Sequence, residues 1–533
     1  MIRGMNWGLI LERHAQKRKN KLALVFEDKK FTYGELNDLV NHMANYLLKL
    51  GIKKGDRVGI YLPNCWEHIV AHFGILKIGA IVVPFNPMYK AYEIQYMLED
   101  SGAETIITVP ELYPYIKEVK ESTKLKNIIV SGPAESENLS FGDILKEPRA
   151  WEREIPIDER EDLALLQYTS GTTGRPKGAM LTYHSVFSNV RTNANLYDYD
   201  ESDVQLIVLP LFHSFGIFSV YYSIYAGGLI VLVRRYDPEL VLSLIDQFRA
   251  TSFFCVPPML LGFLSVENPR RFTLNSLRVC LCGGAVMPVE IMKRVGELLG
   301  VEVVDGYGLT ESYGFIMTPY LDRFRYKPGS IGIPIPVQEV RLVNDRDEEV
   351  PVGEVGEIVS RGPIVMKGYW NNPEETKEAM RNGWFHTGDL ARSDEDGYYY
   401  IVGRKKEMII SSGFNVYPKE IEEVLYQHPK IADAAVIGVP HEYRGEVVKA
   451  YIILKPGVQA DPEEIVEYCR SKLAVFKAPT LVEFREDLPR TASGKVLKRI
   501  LREEAMNRGA SGSGGLENRK KRTDRVEGKE GKK

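Results

Sequence analysis

Eleven residues, Tyr168 to Gly178 (YTSGTTGRPKG), hold three glycines, five hydroxyl side chains and one lysine. Gly171, Gly174 and Gly178 tolerate backbone angles that other residues resist, so consecutive N–H groups can converge on anionic oxygens. The hydroxyls of Thr169, Ser170, Thr172 and Thr173 add short donors. Lys177 supplies a full positive charge, and the whole suits a phosphate. The same composition also suits a surface turn. The apolar run Leu163 to Leu166 just upstream favours the cradle, because a strand feeding a glycine-rich loop presents backbone amides to an anion. The order is not that of a Walker loop: Lys177 is followed by Gly178 rather than Ser or Thr.

Further stretches share this character. Gly283, Gly284 and Ala285 follow one apolar strand, and DGYGLTE (Asp305, Gly306, Tyr307, Gly308, Leu309, Thr310, Glu311) follows another. Small residues there let a flat ligand approach the backbone, and Tyr307 offers a ring to stack on it, so the pair can hold an adenine. GGA alone also reads as a tight turn, and GYG lacks the third glycine of a dinucleotide fingerprint. Glu311 is a hard oxygen ligand suited to Mg²⁺ bridging phosphates. Asp389, in WFHTGDL, can accept hydrogen bonds from ribose hydroxyls, although Asp behind Gly is also ordinary turn chemistry. Lys495, in LPRTASGKVLKR, lies in a polar loop before a helix, where many lysines are simply solvated.

The elements that position these residues read as follows. A chain of 533 residues exceeds one ordinary domain, and at about 150 residues per domain it divides into roughly three or four compact units. Hydrophobic content of 44%, charged content of 26% and a net charge of −3 describe a globular protein with no reason to bind nucleic acid. Five cysteines without a CxxC pair, and no HExxH, argue against disulfide or zinc frameworks and point to a reducing cytoplasm. The N-terminus lacks the apolar core of a secretory signal. Val204 to Val233 carries no formal charge over a span long enough to cross a bilayer. Pro210, His213, Ser214, Gly216, Gly227 and Gly228 break it into a buried strand, a loop, a buried helix and a second strand.

Thr32 and Glu35 form a capping-box pattern ahead of Leu36, Leu39, Met43, Tyr46, Leu47 and Leu50 at helical spacing, and Gly51 ends that helix. Short apolar strands then alternate with helices through VEVVDGYG, which predicts α/β architecture with parallel, doubly wound sheets whose ligands gather at the strands' carboxyl ends. From about Gly329 to Val402 the texture is that of a small β unit. GRKKE (Gly403 to Glu407) marks a boundary, and Pro418 opens a helix in a new α/β unit. From Arg508 the chain is Gly/Ser-rich and then basic, which predicts disorder.

Taken together, these stretches resemble the adenylate-forming enzymes: acyl-CoA synthetases, adenylation domains of peptide synthetases and beetle luciferases. The resemblance runs from residue 8 to residue 505. It looks most like bacterial and archaeal fatty acyl-CoA synthetases, which similarly carry GRKKxMI followed by SGFNVYP. It implies a large N-terminal domain of two doubly wound subdomains plus a β unit (1–402), a hinge (403–407) at Lys406 and a small mobile C-terminal domain (408–507); the basic tail (508–533) lies beyond the resemblance. The implied activity is ATP-dependent activation of a medium- or long-chain fatty acid to acyl-AMP, then transfer to CoA with release of AMP. ATP, Mg²⁺ and CoA are the implied cofactor and co-substrates.

The resemblance also implies residue roles. Thr169, Ser170, Gly171, Thr172, Thr173, Gly174 and Lys177 surround the departing phosphates, with Thr169 and Glu311 near Mg²⁺. Gly283, Gly284, Ala285 and the Asp305–Gly306–Tyr307–Gly308 stretch line the adenine, and Thr310 accompanies Glu311. Asp389 and Arg404 hold the ribose. Lys495 bridges the substrate carboxylate and the α-phosphate. Ser412 and Gly413 lie where pantetheine enters, and His213 resembles the gate beside the acyl pocket. Phe215, Ile217, Val256 and Pro257 are candidates for lining that pocket. Glu407 stands where many members have Asp, and Ile410 stands where plant aryl-CoA ligases place a lysine. An aryl or short-chain acid ligase, an enzyme that loads a carrier protein, and a non-catalytic nucleotide sensor are the competing readings. A homodimer and a peripheral contact with a membrane both stay open, and no transmembrane segment is expected.

Overall fold

The computed structural model describes residues 6–132, 138–169, 176–285, 287, 289–319, 326–411, 413–441, 443–491 and 494–507. The stretch from Arg508, Ser412 and the run Ser170, Gly171, Thr172, Thr173 and Gly174 lie outside them. The chain divides into two compact units. One runs to Thr387 and includes Arg392–Tyr400; the other comprises Gly388–Ala391 and the chain from Ile401 onward.

Among the described residues the first unit carries two seven-stranded sheets. One has the order Leu139–Ser140, Asn127–Val130, Thr105–Thr108, Arg57–Tyr61, Ile81–Pro84, Leu163–Thr169, Lys177–Thr182, parallel except for its last pair. The other has the order Val303–Asp305, Val279–Cys282, Ser252–Cys255, Val204–Ile207, Leu229–Leu232, Leu22–Phe26, Lys29–Thr32. Leu22–Phe26 lies parallel to Leu229–Leu232, so the chain enters the second sheet, builds the first, and returns. Strands of this kind are covered on both faces, and buried residues such as Val58, Ile60, Leu206 and Leu281 account for their continuous apolar texture.

Helix Tyr33–Lys49 begins as its capping box dictates. The Thr32 hydroxyl accepts from the Glu35 backbone N–H at 3.2 Å, and the Glu35 carboxylate accepts from the Thr32 N–H at 2.8 Å. Val204 to Val233 folds as strand, loop, buried helix Ser214–Ala226 and strand. No described helix is long and apolar enough to cross a membrane. That buried helix starts so close to the preceding loop that a Cβ on Gly216 would lie 2.1 Å from the Pro210 carbonyl oxygen. A three-stranded antiparallel sheet (Tyr307–Leu309, Gly314–Thr318, Ile333–Pro334) and the antiparallel pair Glu339–Val343 and Gly356–Arg361 follow.

The second unit has a five-stranded sheet in which Phe414–Val416, Ile409–Ser411, Gly445–Leu454 and Ile431–His441 lie side by side. Leu481–Phe484 also pairs with Gly445–Leu454. Helices Pro418–Tyr426 and Pro462–Lys472 both carry proline in their first turn, where its missing N–H costs nothing. They bury Ile421, Leu425, Ile465 and Cys469 in the unit's core. All five cysteines of the chain are buried and free.

Thr32→Ala removes one half of the capping box and is expected to lower the unfolding free energy of the first unit by about 1 kcal/mol, whereas Thr32→Ser retains most of it. Urea unfolding followed by fluorescence measures both.

Candidate active site

Strand Leu163–Thr169 pairs antiparallel with Lys177–Thr182, and Thr169 stands opposite Lys177. Both ends of the glycine-rich segment are therefore held by strand pairing. A strand rather than a helix follows that segment, in keeping with the missing Walker order. Gln167, two residues before Thr169, is buried and donates from Nε2 to the Phe212 carbonyl at 2.7 Å. This ties the strand to the loop that carries His213.

Residues 366–370 lie along the other edge of Lys177–Thr182. Met180 N–H donates to the Gly368 carbonyl at 2.9 Å, and Trp370 N–H donates to the Gly178 carbonyl at 2.8 Å. Glu311 sits in the short turn Thr310–Ser312, which packs against both strands of the hairpin. Its backbone carbonyl accepts from Met366 N–H at 2.7 Å, and its Oε1 accepts from the Tyr369 hydroxyl at 2.8 Å. Burial and the Glu311 carboxylate both hold the Tyr369 hydroxyl in its protonated form. The Lys177 ammonium lies 5.5 Å from the centre of the Tyr369 ring and forms an ion pair with Glu375. The fold thus gathers Thr169, Lys177, Thr310 and Glu311 into one group. Tyr369 and Glu375 join them although nothing in their local sequence separates an aromatic and a glutamate of a polar helix from ordinary surface residues.

Among the described residues no three His, Cys, Asp or Glu side chains are grouped to cage a metal. One carboxylate already oriented by a hydrogen bond, with the Thr169 hydroxyl in the neighbouring strand, is a donor set that fits Mg²⁺. That ion keeps several waters and uses one or two protein oxygens besides phosphate.

His213 caps helix Ser214–Ala226, and its Nδ1 accepts from the Phe215 N–H at 3.3 Å. The remaining ring proton therefore sits on Nε2. Burial pushes the imidazole down to about 4, so it is neutral at physiological pH. Phe215 packs against the GGA turn: a Cβ on Gly283 would lie 3.2 Å from its ring, and one on Gly284 would lie 3.5 Å from Val256. Gly284 has φ +77°, a conformation that favours glycine. All four candidates for lining the pocket are buried; Phe215 and Val256 border the turn, and among the described residues no such contact is seen for Ile217 and Pro257. Ala285 completes the turn and is exposed.

Asp305 ends the edge strand Val303–Asp305, and Tyr307 is buried in the next, opposite Met317. The neighbouring glycines have a reason inside the protein. A Cβ on Gly306 would come within 2.4 Å of the Phe315 ring, and one on Gly308 within 1.8 Å of the Gly314 carbonyl oxygen.

In the second unit the Arg404 Nε donates to Asp389 Oδ1 at 2.9 Å. Lys495 occupies a tight turn in which its N–H donates to the Thr491 hydroxyl at 3.1 Å and its carbonyl accepts from the Thr491 N–H at 2.8 Å. Burial first, and then the Arg404 guanidinium, pushes the Lys495 ammonium down to about 8; Asp389 and Glu407 act in the opposite sense. Burial works to raise the Glu407 carboxyl, but Lys498, Lys495, Arg404 and Arg502 together hold it below the usual glutamate range. Arg502, on helix 498–507, donates to the Lys406 and Glu407 carbonyls at 3.1 and 3.2 Å. The fold therefore brings Asp389, Arg404, Glu407 and Lys495 into one charged neighbourhood, and of Lys406 it fixes the backbone carbonyl. Gly413 directly precedes strand Phe414–Val416 with φ +83°, and a Cβ there would meet nothing within 4 Å.

Residues 11–370 match the family described as AMP-binding enzyme, and residues 420–495 match the AMP-binding enzyme C-terminal domain. A long-chain-fatty-acid–CoA ligase of Bacillus subtilis (strain 168) is 37% identical over 93% of this chain and 94% of its own. A feruloyl-CoA synthase of Amycolatopsis sp. is 39% identical over 88% of this chain and 92% of its own. The crystal structure of an anthranilate CoA ligase in complex with anthranoyl-AMP aligns with a TM-score of 0.88 at 33% identity, covering 95% of this chain and 98% of that one.

The electrostatics of Lys495 are open to measurement. Amine-selective labelling read by mass spectrometry across pH 7 to 11 should find Lys495 half-reactive near 8, with exposed lysines following above about 10. Glu407→Gln removes a carboxylate that raises the ammonium's affinity for its proton, so the midpoint should move below 8.

Proposed function

The chain belongs to the AMP-binding enzyme family, and from that premise we infer that it is an AMP-forming ligase joining a medium- or long-chain fatty acid to CoA. The observation that carries this reading is Lys495, whose buried ammonium stands in the fields of Arg404 and Asp389, themselves paired at 2.9 Å. Such a charge gains most from an arriving anion.

A carboxylate is a poor acylating agent because oxide is a poor leaving group. In the first half-reaction the acid's oxygen attacks the α-phosphate of ATP, the bond to the pyrophosphate oxygen breaks, and acyl-AMP forms. Lys495 offsets the negative charge that concentrates between carboxylate and α-phosphate, a preorganised electrostatic contribution that needs no covalent enzyme intermediate. Lys177 and the loop from Thr169 to Gly174, with Ser170, Gly171, Thr172 and Thr173, receive the departing phosphates. Thr169 and Glu311 are the oxygens that would hold Mg²⁺, which when bound neutralises phosphate charge. Asp389 and Arg404 are assigned to the ribose, and the turn Gly283–Ala285 with Tyr307 to the adenine. In the second half-reaction the CoA thiol attacks the acyl carbonyl and AMP leaves. Ser412 and Gly413 are assigned to the thiol's approach, and neutral His213 with Phe215 and Val256 to the acyl side. Lys406, within 403–407, is assigned as the hinge between domains 1–402 and 408–507.

The fatty-acid reading draws on the ligase of Bacillus subtilis. The feruloyl-CoA synthase and the anthranilate ligase keep an aromatic acid as the second reading. Ile410 disfavours it, standing where plant aryl-CoA ligases carry a lysine. Each methylene buried in an apolar pocket is worth about 0.8 kcal/mol, so longer straight chains should be preferred up to the length of the pocket. Five buried free thiols support a reducing, cytoplasmic setting.

A panel of straight-chain and aromatic acids assayed for CoA-dependent AMP release should rank straight chains first. An aromatic acid at the head of the ranking overturns the fatty-acid assignment, and acyl-AMP without thioester points to carrier loading. Lys495→Ala is expected to slow acyl-AMP formation by roughly 10²- to 10³-fold while thioester formation from supplied acyl-AMP stays close to normal; equal losses contradict the division of labour. In the unmodified protein kcat/KM for adenylation should fall as pH rises through about 8, where Lys495 loses its proton.

A further inference from the structure

Glu375 is not among the residues the two half-reactions require, yet it holds the lysine assigned to the departing phosphates. It lies on helix Pro373–Ala379, and its backbone N–H donates to the Asn372 side chain at 3.2 Å, the cap of that helix. The helix follows directly on residues 366–370, whose backbone is bonded to both Gly178 and Met180 of the strand that Lys177 begins. Trp370 adds an anchor by donating from Nε1 to the Asp100 carbonyl at 3.0 Å. The Glu375 carboxylate is therefore delivered to Lys177 by backbone pairing and not by a wandering side chain. The Lys177 side chain is only 18% exposed, while that of Glu375 is 44% exposed. Of the two, Glu375 is the one that can turn away into water.

The Tyr369 ring supports the same asymmetry. It underlies the Lys177 ammonium at 5.5 Å, and its hydroxyl is spent on Glu311. When Glu375 lets go, the ammonium keeps its aromatic support and stays where it was. An incoming phosphate oxygen and the Glu375 carboxylate compete for the same protons on the same nitrogen.

We propose that Glu375 sets the affinity of the phosphate site by acting as a built-in counter-ion to Lys177, which pyrophosphate or the ATP tail must displace. The proposal rests on the nucleotide reading given above and adds to it a residue that weakens binding. The consequence is release: a site that relinquishes pyrophosphate readily is one whose lysine has a partner waiting. A half-exposed ion pair of this kind changes binding by roughly two- to five-fold, not by orders of magnitude.

Calorimetric titration of the full chain with magnesium pyrophosphate, and separately with magnesium ATP, without acid or CoA, tests this by binding alone. Glu375→Gln is expected to bind pyrophosphate roughly two- to five-fold more tightly, and Glu375→Ala, also suited to a helix, should show the same gain. Glu378→Gln makes the same charge change one turn along the helix, on a side chain paired with Arg381, and should leave the affinity unchanged. Unchanged or weaker binding by both Glu375 variants overturns the proposal, as does an equal gain from Glu378→Gln, which reduces the effect to net charge. Absence of binding by the unmodified protein overturns the nucleotide reading itself. Binding that is normal but insensitive to Glu375 overturns only the counter-ion.

Discussion

Backbone amides can converge on an anion only if the ends of the loop that carries them are fixed, and the pairing of Thr169 with Lys177 does the fixing. That pairing is inherited from the sheet. Leu163–Thr169 lies beside the buried strand Ile81–Pro84, with Ala164, Leu165 and Leu166 fully buried, so a slip of register would unseat packed side chains on both faces of the sheet. Its partner strand is gripped on the far edge by residues 366–370. Three further groups then take their places from the hairpin: Glu311 through the packed turn, Tyr369 through the backbone segment 366–370, and His213 through Gln167.

The central alternation was legible because parallel sheets impose it. Short apolar runs ending in glycine, proline or a small residue recur from Arg57 to Asp305, and each becomes a strand. The capping box at Thr32 and the proline at the start of Pro418–Tyr426 also act locally, within a turn of the chain. What depends on distant partners was not legible. Leu22–Phe26 stands apart from the alternation of strands and helices, and its neighbour in the sheet, Leu229–Leu232, lies some two hundred residues away. The same holds for Tyr369 and Glu375, which acquire a role only because a backbone segment is laid along Lys177–Thr182.

The glycines of DGYG show a subtler limit. Small residues beside a strand end invite the reading that a ligand needs the space, but at Gly306 and Gly308 the protein fills it with Phe315 and the Gly314 backbone. The consequence for a ligand is indirect: these glycines let strand Gly314–Thr318 close on Tyr307–Leu309, and that closure fixes Tyr307 and the turn carrying Glu311. At Gly284 and Gly413 the backbone angle itself excludes most other residues. Composition alone cannot separate these causes, since all of them ask for glycine.

Two lysines three residues apart illustrate what singles out a reactive charge. Lys498 is held by Glu422 at 2.8 Å and by Glu407 at 3.5 Å, and although burial opposes its charge these carboxylates push the ammonium above its ordinary value. It is a committed ion, part of the frame that ties helix 498–507 to the segment around Lys406 together with Arg502. Lys495 experiences burial too, but it faces Arg404; of the two carboxylates that favour its charge, Asp389 is already engaged by that arginine and Glu407 is shared with Lys498. Its charge is therefore undercompensated in the protein alone. Motif spacing does not distinguish the two, since both are lysines near the start of a helix. The surrounding charges do: a cation whose field is left unneutralised at the protein's own expense is stabilised by an added anion far more than one that already has two carboxylates, and only the first can lower the energy of a transition state that gathers negative charge.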